Sequence, residues 1–441
     1  MRSVAREQWR SKLGFVLAAA GSAVGLGNIW KFPYVTGHNG GAAFVVIYLV
    51  AVVLVGFSVM LAELAIGRAT QKNVVGAYRT LQGPRWAGLG FVGLFCGMLI
   101  LSYYSVIGGW TLKYLWASLT ASKEFASEGA AAAYFGHFTT QGWQVFGFQI
   151  LFLLLTAYVV LRGVSGGLER WCKALMPALL VMLVVLVVRS VSLPGSGKGV
   201  EFYLKPDFSK VTGATFLAAV SQAFFSLSIG LGTMLTYGSY LRKDVDLGKS
   251  ALQICALDTL VALLAGLVIF PAAFAFGVDA GAGPGLSFVT LPALFSRVPF
   301  GALWAFLFFA LLFVAALTSS ISMLEIPVAY LLDKGMKRKN ATWLMTVIIL
   351  LMGVPSAFGD SLGWKIFGLD MISAGSFLSD SLLMPFGGFM CCLVAGWLQY
   401  QRTRSELEMG TSPWLVRLWS FGVKFAAPLA ILAVFIAGLR G

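Results

Sequence analysis

The sequence predicts an all-α polytopic membrane protein of about eleven transmembrane helices. It further predicts an inverted five-helix repeat in which helices 1 and 6 are discontinuous. Three observations lead there. Of 441 residues, 59% are hydrophobic and 11% charged, with a mean hydropathy of +0.85; a soluble domain carries about a quarter charged residues. Apolar runs of about 20 residues or more, enough for a helix to cross a bilayer, recur along the whole chain. Two of these runs carry glycine-rich interruptions in mid-span, five spans apart.

The spans are expected at 13–37, 43–67, 88–119, 142–162, 168–189, 214–240, 250–277, 299–332, 340–358, 375–400 and 418–438. The first follows a basic head without a convincing A-x-A cleavage site, so it is expected to be a retained helix and not a signal peptide. Alternate connections are basic. They hold Arg2, Arg6, Arg10 and Lys12; Arg68, Lys72, Arg79 and Arg85; Arg162, Arg170 and Lys173; Arg242, Lys243 and Lys249; Lys334, Lys337, Arg338 and Lys339; and Arg402, Arg404 and Arg417. The intervening connections, notably 190–213 and 278–298, are longer and hold fewer. The positive-inside rule puts the N-terminus in the cytoplasm, and an odd number of spans puts the C-terminus outside. The net charge of +14 belongs to this topogenic pattern, with no nucleic-acid partner implied. Cys96, Cys172, Cys255, Cys391 and Cys392 lie in or beside apolar runs, an odd number without a disulfide framework or metal-ligand spacing.

Span 1 contains "GSAVGLGNIWKFP" (21–33) and span 6 contains "FFSLSIGLGT" (224–233). Glycines, an asparagine and a proline are poor helix material, and in lipid each freed backbone group needs a partner inside the protein. Five is odd, so spans 1–5 (13–189) repeated as spans 6–10 (214–400) would be inverted, with span 11 (418–438) outside the repeat and 1–441 forming one domain. Matched interruptions in two halves point to a transporter site at the midplane. Free carbonyls there suit a desolvated cation, and half-helix N-termini suit an anion. Asp258 lies in mid-span 7, where an ionisable residue is functional by default. Span 5 carries Gly167 and Pro177, which point either to local unwinding or to a proline kink.

"REQWRSKLGFVLAAAGSAVGLGNIWKFPY" (6–34), "AELAIGR" (62–68), "SQAFFSLSIGLGTMLTYGSYLRKD" (221–244) and "ALTSSISMLEIPVAYLLD" (316–333) closely resemble the neurotransmitter:sodium symporter family, nearest its bacterial amino-acid branch. The resemblance covers nearly the whole chain. It implies a sodium-coupled symporter of a bacterial cytoplasmic (inner) membrane, with two sodium ions as co-substrates. It further implies one sodium site from Ala23, Asn28, Ser226 and a residue of span 7, for which Asp258 is the candidate. The other would use the carbonyls of Gly21, Val24 and Ala315 with the hydroxyls of Thr318 and Ser319. The substrate pocket carried over comprises Ser22, Ala23, Leu26, Gly27, Ile100, Tyr104, Phe225, Ser226, Ser228, Leu231, Ser319 and Met323. Tyr104 would hold a substrate carboxylate with the N–H groups near Leu26 and Gly27, and Phe225 would lie over the pocket. Glu63 would accept hydrogen bonds from unwound backbone.

Gly25 stands where monoamine carriers of the family have Asp, so it leaves room and supplies no charge. The substrate must then bring its own carboxylate. The pocket side chains include no Asp, Glu, Lys or Arg, which implies a large apolar or aromatic L-amino acid, since an unpaired buried charge costs several kcal/mol. Eukaryotic relatives have Asn at the Asp258 position and bind chloride among residues matching Tyr48, Gln222 and Ser226. Asp258 would supply that negative charge covalently, so no chloride requirement is expected. For gates, Arg6 and Asp333 match the family's cytoplasmic ion pair, with Tyr240 and Glu325 on the same side. On the outer side Lys31 stands where Arg is usual, facing either Asp370 or Asp380. The implied partners are the amino acid and the bilayer, with monomer and homodimer both open.

Rival readings are a membrane enzyme, a channel, or an amino-acid sensor on the same scaffold. His38 and His137 fall in outer connections, with no catalytic constellation. "GKS" (248–250) lacks the upstream glycine of a phosphate-binding loop, since position 243 is Lys.

Overall fold

A computed structural model describes residues 6–277 and 285–439. Arg2 and the first part of the 278–298 connection lie outside them. Among the described residues, nine helices are long and apolar enough to cross a membrane: Ala42–Thr70, Pro84–Thr120, Gly142–Leu161, Val164–Val191, Leu247–Ala275, Gly301–Asp333, Arg338–Leu362, Met371–Leu398 and Pro413–Leu439. A tenth span is the pair Lys12–Ala23 and Gly27–His38, bent by 49°. The eleventh is Gly213–Ser226 followed by Thr233–Gly238, each piece too short to cross alone. The predicted order of spans is therefore present, with ends shifted by a few residues.

Local chemistry explains both interruptions. In span 1, Val24 leaves the helical region (φ −67°, ψ 107°) and ends the first half. In span 6, Ser228, Gly230 and Gly232 all have positive φ (51°, 85° and 80°). Gly230 is needed twice over, because a Cβ there would also stand 2.4 Å from the Met384 carbonyl oxygen. Ser228 holds a left-handed conformation without that freedom, at a cost of about 1 kcal/mol or more.

Every freed group with a described bond finds its partner within the protein. Glu63 accepts from the N–H groups of Gly230 (2.7 Å) and Leu235 (3.2 Å). The Ser22 carbonyl accepts from the hydroxyls of Ser228 (3.0 Å) and Ser319 (3.2 Å). The Val24 carbonyl accepts from Ser319, the Leu26 N–H donates to the Tyr104 hydroxyl, and the Gly27 carbonyl accepts from the Gln222 amide. Groups freed in the two breaks are thus taken up by spans 2, 3, 6 and 8, as a nonpolar surrounding demands.

Span 5 does not unwind. Gly167 sits in a wide π turn, Val164–Leu168, and Pro177 lies inside the continuous helix Glu169–Val191. The glycine has a packing reason: a Cβ there would fall 2.1 Å from the Val159 carbonyl oxygen. Of the two readings of this span, the continuous helix with an internal proline holds.

The connections carry structure that apolar periodicity does not announce. Glu128–Thr139 forms a helix between spans 3 and 4, and Gly197–Leu204 another between spans 5 and 6. A two-stranded hairpin, Lys365–Ile366 with Leu369–Asp370, joins spans 9 and 10. Phe288, from the connection before span 8, packs its ring on Trp30, Trp110, Tyr114, Phe135 and Phe309, so this segment roofs the centre of the bundle.

Candidate functional site

The unwound stretches of spans 1 and 6 meet spans 3 and 8 around a small central pocket of about 20 Å³. Its walls include Ala23, Gly27, Ile100, Tyr104, Phe225, Ser228, Leu231, Ser319 and Met323, all expected from the sequence. Gly25 and Met384 line it as well. Met384 lies on span 10, against Gly230, and nothing in its sequence neighbourhood marks it. Three expected residues sit elsewhere. Leu26 lines the larger chamber described below. Ser22 donates its hydroxyl to Ser322 (2.7 Å), so only its carbonyl faces the breaks. Ser226 belongs to a polar cluster behind the pocket.

The lining carries no charged side chain, so hydroxyls and backbone groups supply the polarity. The Tyr104 hydroxyl lies 3.2 Å from the Leu26 N–H at the start of the second half-helix of span 1. Gly25 corrects one expectation. Its missing side chain does not leave open space, since a Cβ there would stand 2.5 Å from Ser319 Oγ and 2.9 Å from the Tyr104 oxygen. The glycine lets those two hydroxyls converge on the break. At this volume the pocket has room for about one water, so an amino acid needs the side chains to part.

Asp258 is fully buried in the polar cluster. Its Oδ1 accepts from Asn28 Nδ2 (2.7 Å) and its Oδ2 from Ser226 Oγ (2.7 Å). Asn28 Nδ2 also donates to Ser226 Oγ and to the Asp258 carbonyl, while Tyr48 donates to Ser226 Oγ at 3.3 Å. Asp258 has no ion-pair partner within 4.0 Å among the described residues. A second oxygen group lies where span 1 passes span 8. Thr318 Oγ1 donates to the carbonyls of Val314 (3.1 Å) and Ala315 (3.0 Å), and Ser319 Oγ to those of Ser22 and Val24. Gly21 lets span 1 in: a Cβ there would lie 3.3 Å from Thr318 Cβ and from Met176 Sδ. Carbonyls, hydroxyls and one carboxylate are hard donors, the set an alkali cation takes.

Two closures flank the centre. Above Phe225 a chamber of about 410 Å³ reaches upward past Trp30, Tyr34, Tyr103, Trp110 and Phe135. Phe225 and Tyr104 line both this chamber and the central pocket. Lys31 Nζ lies 2.7 Å from Asp380 Oδ2 and 4.1 Å from the centre of the Phe225 ring. Asp370 instead caps the helix Met371–Ser376, accepting from the N–H groups of Ile372 and Ser373. A seven-residue π turn, Phe377–Leu383, presents Asp380 inward.

At the end where the basic loops gather, Arg6 Nη1 meets Asp333 Oδ1 at 2.5 Å, and its Nε and Nη2 donate to Ser239 Oγ. Asp333 also accepts from the Asn73 backbone (2.8 Å) and side chain (2.6 Å). Tyr240 donates to Glu325 (2.7 Å), which Arg338 engages through both Nη atoms, and Arg338 Nε reaches Glu7. Asn73, Ser239, Arg338 and Glu7 were not expected here. Arg338 in particular reads in sequence as one of several topogenic cations.

The family model for the Sodium:neurotransmitter symporter family matches residues 6–132 and 133–440. The chain belongs to the sodium:neurotransmitter symporter family. The sodium-dependent transporter YhdH of Bacillus subtilis (strain 168) is 40% identical to it over 441 residues, covering 97% of each chain. A sodium-dependent transporter of Haemophilus influenzae is 35% identical over 450 residues, covering 98% of each. Among solved structures, MhsT in complex with L-phenylalanine superposes with a TM-score of 0.90 at 42% identity, covering 98% of this chain and 100% of that one. As a member of the sodium:neurotransmitter symporter family the protein is a multi-span, sodium-coupled membrane transporter and not an enzyme.

Proposed function

We propose that the chain imports large apolar or aromatic L-amino acids with two sodium ions by alternating access, and that it needs no chloride. One observation carries the reading. A fully buried carboxylate, Asp258, stands without a basic partner among the described residues, beside a pocket whose own side chains are uncharged. A buried carboxylate without a counter-charge is expensive, so the fold implies cations as co-substrates. Asn28, Ser226, Asp258 and the Ala23 carbonyl would hold one sodium. Thr318, Ser319 and the carbonyls of Gly21, Val24 and Ala315 would hold the other.

An amino acid supplies the charges that the pocket lacks. Its carboxylate would meet the Tyr104 hydroxyl and the N–H groups at the half-helix start near Leu26 and Gly27. Its side chain would displace Leu231, Met323 and Met384, of which the methionines adapt readily to shape. Gly25 contributes no acid to pair with an amine, and the structure of MhsT with L-phenylalanine supports the aromatic class. Sodium and a zwitterion bring net positive charge. Asp258 would balance it where other members use chloride, with a Coulomb energy of several kcal/mol at about 4 Å even at an effective dielectric near 20.

The remaining assignments follow the same logic. The N-terminus would be cytoplasmic and the C-terminus external in a bacterial inner membrane. Residues 13–189 and 214–400 would form the inverted halves, with Phe225 as the lid between chamber and pocket.

The test is uptake into proteoliposomes of a panel of labelled amino acids, with sodium or choline outside and chloride or gluconate as the anion. Sodium-dependent uptake of phenylalanine or leucine that persists in gluconate is expected. Equal uptake in choline would refute the coupling, and a steep loss in gluconate would refute the role of Asp258.

A further inference from the structure

Beyond span 10 the chain forms the helix Tyr400–Glu408 and turns back into span 11. Between them lies a cavity of about 520 Å³, lined among others by Tyr400, Arg404, Arg417 and Ser420. It opens at the basic-loop end, since Glu406 of the same helix pairs with Arg68 and Lys243. Two cations line it, Arg404 and Arg417, and a third, Lys424, lies against the ring of its Tyr400 wall. Arg404 is neutralised by Glu408, which also lines the cavity, at 2.8 Å. Arg417 is exposed and has no carboxylate within 4.0 Å among the described residues. Lys424 places its ammonium 3.4 Å from the centre of the Tyr400 ring and likewise has no carboxylate partner within that distance. Two lining cations against one carboxylate leave an excess of one positive charge, to which Lys424 beside Tyr400 adds a second.

The cup is built rather than incidental. The Tyr400 ring stacks on Trp419 (6.0 Å, 5° between planes), and its hydroxyl is 3.0 Å from Ser420 Oγ. Those contacts position the ring against which Lys424 places its ammonium. The first turn of the helix Pro413–Phe421 borders the same space, and Ser412 places no side-chain cap on its N–H groups. Dipole and cations therefore point to an anion. Outward from the cup, Trp397, Trp414, Phe421 and Phe425 are all about half exposed, as aromatic side chains are at a membrane interface. A basic cup beside exposed aromatic side chains suits a ligand that has both an anionic head and apolar chains.

We infer that this cup binds the phosphate headgroup of an anionic phospholipid, with Arg417 and Lys424 as its charge partners and the acyl chains running along the aromatic rim. Its placement in the cytoplasmic leaflet rests on the orientation proposed above. Binding itself does not.

Native mass spectrometry on the full-length chain, released from detergent with phosphatidylglycerol or phosphatidylcholine of the same acyl chains, tests this. Phosphatidylglycerol should be retained about tenfold better than phosphatidylcholine, and Arg417→Gln and Lys424→Gln should each cut that preference about fivefold. Lys339→Gln, an exposed cation elsewhere on the same end, should leave it unchanged. Arg417→Gln alters an exposed side chain and keeps the test decisive even if Lys424→Gln misfolds in gel filtration. Equal retention of the two lipids, or an equal loss in Lys339→Gln, would overturn the inference. Displacement of phosphatidylglycerol by inorganic phosphate would also overturn it, by reassigning the cup to a free anion. Cysteine accessibility in intact cells maps the orientation separately, so a wrong leaflet and an absent site give different results.

Discussion

At the basic-loop end, Arg6, Asp333, Ser239, Asn73, Tyr240, Glu325, Arg338 and Glu7 tie the N-terminal segment, span 8 and the neighbouring loops together. At the opposite end, Lys31, on the wall of a chamber of about 410 Å³, meets Asp380, and the rings of Phe225 and Tyr104 stand between that chamber and the pocket. The difference lies in redundancy. Glu325 is fully buried and receives hydrogen bonds from Tyr240 and Arg338 on two other elements, whereas among the described residues Asp380 has Lys31 as its one partner from another span, its bonds from Ser376 and Ser379 staying within its own helix. A closure built from many bonds opens only when several are lost together. A closure built from one pair and two rings opens at less cost. The structure is therefore fastened at the basic-loop end and only latched at the chamber end.

The largest effect should come from Glu325→Gln. Among the described residues it leaves Arg338, nearly buried, with only Glu7 as a carboxylate partner, and breaking a buried pair costs about 3 kcal/mol or more. Transport should fall at least tenfold, and a cysteine placed on the path below the pocket should label much faster. If labelling stays at the wild-type rate, Glu325 fastens nothing.

Arg6→Ala comes next. Asp333 keeps its bonds from Asn73, so the loss should be about 2 kcal/mol, a shift of roughly thirtyfold towards the state open at this end. Equilibrium sodium binding should change less than transport does. A transport rate within twofold of wild type would show that the network is redundant enough to lose its central arginine.

Lys31→Ala should cost about 1 kcal/mol, because a single cross-span contact is lost while Asp380 keeps its bonds from Ser376 and Ser379. Labelling from the chamber side should rise about fivefold, with the basic-loop end unaffected. An effect as large as that of Glu325→Gln would erase the contrast between the two ends.

The smallest change is Lys31→Arg. A guanidinium can take Asp380 through two parallel bonds, which would tighten the latch and slow turnover by about twofold. Faster turnover would mean that Lys31 limits closure rather than release.

Much of the site was legible residue by residue, because its chemistry is written in short contiguous stretches. Asn28, Ser226, Thr318 and Ser319 lie inside two broken spans and one serine-threonine run, which the family resemblance singled out; Asn28 bonds Ser226, and Ser319 bonds the carbonyls of the first break. Met384 and Arg338 were not legible. Met384 reaches the pocket because Gly230 lacks a side chain and lets span 10 approach within contact of the break. Arg338 reads as a loop cation until folding sets it against Glu325, a residue on another span.

The sequence by itself determined the membrane class, the order of the spans and the positions of both breaks. Apolar run length, basic connections and glycine placement act locally and need no partner to be read. Tertiary structure alone decided that Asp380 and not Asp370 meets Lys31, since a π turn aims the former inward while the latter caps its own helix. It decided as well that Gly25 brings two hydroxyls together rather than opening space, and that span 5 stays helical through Pro177. Each of those outcomes depends on what lies across a helix interface, and no single stretch of chain contains both sides of such a contact.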